Sequence, residues 1–76
     1  MDDLRNVWGR RIAAARKEAG ITQYDLARAA ALSPSTISAI EQGQRGCGDA
    51  VRVRIAVALG ANVNELFAYP VEEPAA

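Results

Sequence analysis

Residues 20–43 read GITQYDLARAAALSPSTISAIEQG, and the fold follows from how this stretch divides. Gly20 tolerates the left-handed backbone that closes a helix. Thr22 is a good N-cap, and Asp25 stands three residues on, in the place of a capping box. A helix over about Gln23–Ala30 follows, with Leu26 and Ala27 inward. Ala31-Leu32 leave only a tight turn before Ser33-Pro34, a cap residue followed by a proline whose missing N–H costs nothing in a first helical turn. The next helix runs to Gln42 with Ile37 and Ile40 inward, and Gly43 stops it.

Upstream, Leu4, Trp8, Ile12 and Ala15 recur at helical spacing and predict a first helix from about Leu4 to Ala19. Downstream, residues 43–48 hold three glycines and read as a loop. Asp49 can cap a fourth helix over about Ala50–Leu59, with Val51, Val53, Ile55 and Leu59 supplying its apolar contacts and Gly60 closing it. Asn62 with Glu65 three residues on opens a short fifth helix to about Phe67. Nothing reads as a strand. The expectation is all-α, a compact bundle of about five short helices forming one domain over residues 1–69. Residues 70–76, acidic and containing Pro70 and Pro74, are expected to be a loosely ordered tail.

Composition narrows the function. A chain of 76 residues buries only about 60% of its unfolded surface, and much of its apolar content is alanine, which suits closely packed short helices. A single cysteine, Cys47, excludes an internal disulfide, and without histidine no zinc site can be assembled; no metal or cofactor is expected. There is no nucleophile beside a base and no convergent carboxylate pair, so an enzyme is not expected. No apolar run approaches the roughly 18 residues of a membrane span, and Met1-Asp2-Asp3 has no hydrophobic stretch behind it, so no secretory signal is visible. These features fit a reducing, cytoplasmic setting with no membrane partner. The net charge is zero, but Asp2, Asp3, Glu72 and Glu73 sit at the two ends. Between Leu4 and Tyr69, nine Arg or Lys face only Glu18, Asp25, Glu41, Asp49 and Glu65. A basic face on the body is therefore compatible with a neutral chain.

Two short helices joined by a tight turn have helix-turn-helix geometry, in which the second can enter the DNA major groove. Spacing alone is a weak signal. Residue identity strengthens it: Gly20-Ile21-Thr22-Gln23, Leu26-Ala27, Leu32-Ser33-Pro34-Ser35-Thr36-Ile37-Ser38 and Ile40-Glu41-Gln42-Gly43 closely resemble the phage Cro and repressor family, often called XRE-like. The resemblance reaches upstream to Ile12 and Arg16 and resumes at Ile55-Ala56, Ala58-Leu59-Gly60 and Glu65-Leu66-Phe67. It implies a lambda-repressor-like fold and a DNA-binding transcriptional regulator, expected to be a repressor.

The resemblance also implies roles. Gln23 would hydrogen-bond a DNA phosphate beside the free N–H groups of its helix N-terminus, with Thr22 as cap and neighbour; the alternative is an exposed polar first-turn residue. Arg16 and Glu41 match a pair that ties the first helix to the third. On the third helix Ser35, Thr36 and Ala39 would face the groove, with Ser33 and Pro34 at its leading edge. Ala39 stands where relatives often carry a long polar side chain, so readout is expected to lean on DNA shape. Gln42, Gln44 and Arg45 follow the helix and are placed for backbone phosphate; Arg10, Arg11 and Arg28 are weaker candidates, with a solvated cation as the alternative for each. Four positions depart from the family pattern. Ala31 replaces the usual turn glycine, Cys47 a common proline, and Asp49 and Arg52 two usual leucines, which leaves the start of the fourth helix open to a shifted register or to a surface altered to meet a partner protein.

Two partner readings remain. One is a homodimer on double-stranded DNA, because one helix with few strong readers gives poor single-site specificity; Val63, Phe67 and Tyr69 are candidates for its interface, unless they fold back on their own domain. The other is a protein-interaction module on the same fold, such as an antitoxin bound to a toxin or another regulator.

Overall fold

The structure, a computed structural model, describes residues 3–69; the expectation of a loose tail lies outside them. Five helices follow one another: α1 Leu4–Glu18, α2 Gln23–Ala30, α3 Pro34–Glu41, α4 Asp49–Leu59 and α5 Val63–Leu66. No strand occurs among the described residues. Side-chain caps set most of the starts. Asp3 accepts the Arg5 N–H, and Ser33 accepts that of Thr36. Thr22 and Asp25 bond reciprocally at 3.1 and 3.0 Å as a complete capping box. Asn62 accepts from Asn64 and Glu65.

The first four helices end in the same way. Paired backbone bonds reach back over the last turn, as from Leu32 N–H to Ala27 O at 2.8 Å and from Ala31 N–H to Arg28 O at 3.2 Å. This double bond needs a left-handed residue. Glycine supplies it at positions 20, 43 and 60, but α2 uses Ala31, at φ 56° and ψ 44°. Arg54 reaches across from α4 to that turn, its Nε donating to Ala30 O at 2.9 Å and its Nη2 to Ala31 O at 2.7 Å. A Cβ in this conformation costs about 1–2 kcal/mol, partly offset by the greater unfolded-chain freedom of glycine. Ala31→Gly is therefore expected to stabilise the fold by up to about 1 kcal/mol, raising the melting temperature by several degrees in a scanning denaturation. A lower melting temperature would show that Ala31 is not strained.

The core joins all five helices: Trp8 and Ile12 from α1, Leu26, Ala27 and Ala30 from α2, Ile37 and Ile40 from α3, Ile55 and Ala56 from α4, and Leu66 from α5, closed by Cys47 and Phe67. Three expectations are corrected here. Asp49 does not cap α4; Gly48 does, without a side-chain bond, and the fully exposed Asp49 carboxylate lies 3.6 Å from Arg52 within the first turn. Val53 points out of the core at 50% exposure, because the register is set by Ile55 and Ala56, with Val51, Ala58 and Leu59 packed beside them. Phe67 is a core residue rather than a surface one. α5 ends at Leu66, and Phe67 packs edge-on against Trp8 at 5.6 Å.

Candidate nucleic-acid interface

The chemistry of α2 and α3 is decided by which polar groups the fold has already satisfied. In the first turn of α2, the Asp25 N–H is bonded to Thr22 Oγ1 and the Leu26 N–H to Thr22 O. The N–H groups of Gln23 and Tyr24 have no partner among the described residues and lie at the positive end of the helix dipole. In α3, Pro34 has no N–H and Thr36 is held by Ser33, so in that turn the Ser35 N–H is the one without a partner among the described residues.

The outer side of α3 is short and quiet. Ser35 and Gln42 are exposed, while Pro34, Thr36 and Ala39 are half-buried. The Ser33 hydroxyl gathers its neighbours, at 2.8 Å from Thr36 Oγ1 and 3.1 Å from Ser35 Oγ. These three hydroxyls partly satisfy one another before any ligand arrives. The Gln42 side chain turns back along the helix to donate to Ser38 Oγ at 3.0 Å. Past the helix, Gln44 and Arg45 are exposed, and Arg45 has no hydrogen bond or ion pair among the described residues.

Beneath this surface lies one charged network. Arg16 Nε donates to Glu41 Oε2 at 2.7 Å and Arg16 Nη2 to Glu41 Oε1 at 3.1 Å. Arg16 Nη1 reaches Ile21 O in the α1–α2 turn at 3.0 Å. The two side chains are only 13% and 6% exposed. The hydrogen bonds it donates to Glu41 hold the Arg16 guanidinium above its already high ordinary pKa. Gln23 joins the pair, its Nε2 donating to Glu41 Oε1 at 3.0 Å. This third contact, between residues 18 positions apart, is not visible in the sequence.

Five arginines are engaged by partners within the domain. Arg5 pairs with Asp3, Arg16 with Glu41, and Arg54 with the α2 terminus. Arg11 is not merely solvated: its Nη1 donates to Ala68 O at 2.7 Å, beside Trp8 Nε1, which donates to the same oxygen at 3.2 Å. Arg52 donates to Cys47 O at 3.0 Å and lies 4.6 Å over the Trp8 ring. Arg10, Arg28 and Arg45 are exposed as well. Cys47 is buried, and burial pushes its thiol pKa up, so it is held as the thiol. No helix among the described residues is long and apolar enough to cross a membrane. Among them no group of His, Cys, Asp and Glu is placed to hold a metal.

Residues 8–67 match the family described as helix-turn-helix domain. Solved structures of three proteins are among those similar to the chain, at 29% identity each. The clp gene regulator ClgR from Corynebacterium glutamicum superposes with a TM-score of 0.83, over 87% of this chain and 86% of that one. The restriction-modification controller protein C.AhdI from Aeromonas hydrophila gives 0.79 over 82% and 94%. The hypothetical transcription factor NHTF from Neisseria gives 0.82 over 90% and 78%. No curated protein matches the chain.

Proposed function

The chain belongs to the helix-turn-helix domain family, and from that premise we propose that it is a DNA-binding transcriptional regulator, acting as a repressor with α3 in the major groove. The observation that carries this reading is the juxtaposition in one helix pair of donors left over by the fold. The Gln23 and Tyr24 N–H groups at the α2 terminus, the Ser35 N–H in α3 and Arg45, which has no partner among the described residues, all suit phosphate. Thr22 borders the same terminus. Base contact falls to Ser35, Thr36 and Ala39, with Ser33 and Pro34 at the leading edge and Gln42 and Gln44 toward the backbone. A methyl and two hydroxyls discriminate weakly, so shape and deformability carry much of the sequence preference. The named regulators among the similar structures support the same reading.

Weak single-site readout calls for two half-sites, and hence a two-fold dimer. Its surface centres on α4, with Phe67 withdrawn into the core. Val53, Val57 and Tyr69 are 50%, 74% and 66% exposed, and Val63 is half-buried. Valines on the solvent face of a helix lose χ1 freedom without gaining burial, which favours a covered face. Sedimentation with a duplex enriched from a random-sequence pool tests both parts. The expected result is a palindromic sequence with half-sites about 34 Å apart, carrying two chains, and loss of the second chain on Val53→Asn with Val57→Asn. A non-palindromic sequence with one chain per duplex would reject the dimer. If those surface changes instead release another bound protein while DNA binding is retained, the interaction-module reading gains.

A further inference from the structure

We propose that Glu41 is a positioning residue for Gln23, orienting its side-chain amide toward a DNA phosphate. The proposal rests on the reading that Gln23 makes that contact, and it adds what makes the contact efficient. A glutamine side chain is long and flexible, and its carboxamide can present either oxygen or nitrogen. A phosphate only accepts, so one of two flip states is useless to it. Here the choice is made in advance. Glu41 Oε1 accepts from Gln23 Nε2 at 3.0 Å and from Arg16 Nη2 at 3.1 Å. Flipping the amide would set its oxygen against a carboxylate that is nearly buried. With one Nε2 hydrogen held inward, the planar amide directs its second hydrogen away from Glu41, on the same first turn that leaves the Gln23 and Tyr24 N–H groups unpaired. Arg16 anchors the carboxylate, and its Nη1 bond to Ile21 O at 3.0 Å anchors the turn leading into α2. A single charged triad thus sets the C-terminus of α3 and the leading side chain of α2 in fixed relation.

Holding one rotamer-rich side chain in its bound state removes an ordering cost that corresponds to about two- to tenfold in affinity. The test is a cycle of duplex affinities, each measured where circular dichroism shows the chain fully folded. One background is the natural chain. The other is Arg16→Met with Glu41→Leu, an apolar pair that can replace an ion pair without leaving a charge unpaired. Gln23→Ala is expected to weaken binding about tenfold in the first background and by about threefold or less in the second. A purely structural role for Glu41 would leave the Gln23→Ala factor the same in both, and that result would overturn the proposal while keeping the phosphate contact. No effect of Gln23→Ala in the natural chain would instead overturn the phosphate contact and the positioning role together. Should the apolar pair fail to fold, nuclear magnetic resonance of the natural chain decides. The Gln23 side-chain amide protons should exchange with solvent more slowly than those of exposed Gln44 and resonate apart from them. Coincidence of the two sets would overturn the proposal.

Discussion

Glu41→Ala is expected to lower the free energy of unfolding by about 3–5 kcal/mol, the cost of leaving one member of a buried ion pair unpaired. Arg16 would keep its bond to Ile21 O but lose both bonds to the carboxylate, in a site where its side chain is 13% exposed. Solvent can rescue little of it. Glu41 is also the last residue of α3, where a negative charge opposes the helix dipole, so the carboxylate depends on Arg16 as much as Arg16 depends on it. A domain of this size holds on the order of 4–11 kcal/mol in total at roughly 0.05–0.15 kcal/mol per residue, and the loss would unfold a large share of the molecules on mild warming. Replacing both partners by Met and Leu should recover most of the stability, since no charge is then stranded. Urea denaturation of the single and double variants separates the cases. Unchanged stability in Glu41→Ala would show that the pair does not hold the fold.

Gly9→Ala is expected to destabilise by about 2 kcal/mol, against the intrinsic preference of the helix. In the interior of α1, alanine is favoured over glycine by about 0.8–1 kcal/mol, and on an open surface the change would stabilise. The space is not open. A Cβ at Gly9 would meet the Ile40 carbonyl oxygen and would stand 2.6 Å from that of Glu41. Both are backbone atoms at the end of α3 and cannot rotate aside. Forcing volume into such a contact costs about 1–3 kcal/mol or more, here toward the upper end because a helix must move. At about 4–8 °C per kcal/mol for a small domain, the melting temperature should fall by about 10 °C. A rise would mean that α1 and α3 are less closely packed than the structure has them. DNA affinity of the fraction that stays folded should fall too, because α3 is displaced relative to α2.

The helices were legible because their ends are written locally. Thr22 with Asp25, Ser33 with Pro34, and the glycines at positions 20, 43 and 60 act within a turn of themselves, so spacing alone places them. What was not legible depends on partners far along the chain. Phe67 and Tyr69 look alike at the end of the domain, and both rings meet Trp8 edge-on, yet the first is buried and the second stays exposed. Val53 satisfied an apolar pattern, but α4 is apolar on more than one side, so its sequence does not choose a buried face. Arg11, Arg52 and Arg54 reach backbone carbonyls, which every residue has and no motif marks. In the candidate interface, the roles of Gln23, Arg16 and Glu41 were suggested by resemblance. Their joining through one carboxylate oxygen is a feature of the folded chain, because it needs three helices in place.

The central claim, that this helix pair binds duplex DNA chiefly through its phosphates, is tested most directly by measuring affinity for labelled duplex DNA across a range of salt concentrations. Phosphate contacts release counterions, so the logarithm of the affinity should fall linearly with the logarithm of salt. With six or so contacts in a dimer, the slope should lie near about −5. Absence of binding even at low salt, or an affinity indifferent to salt, would contradict the account.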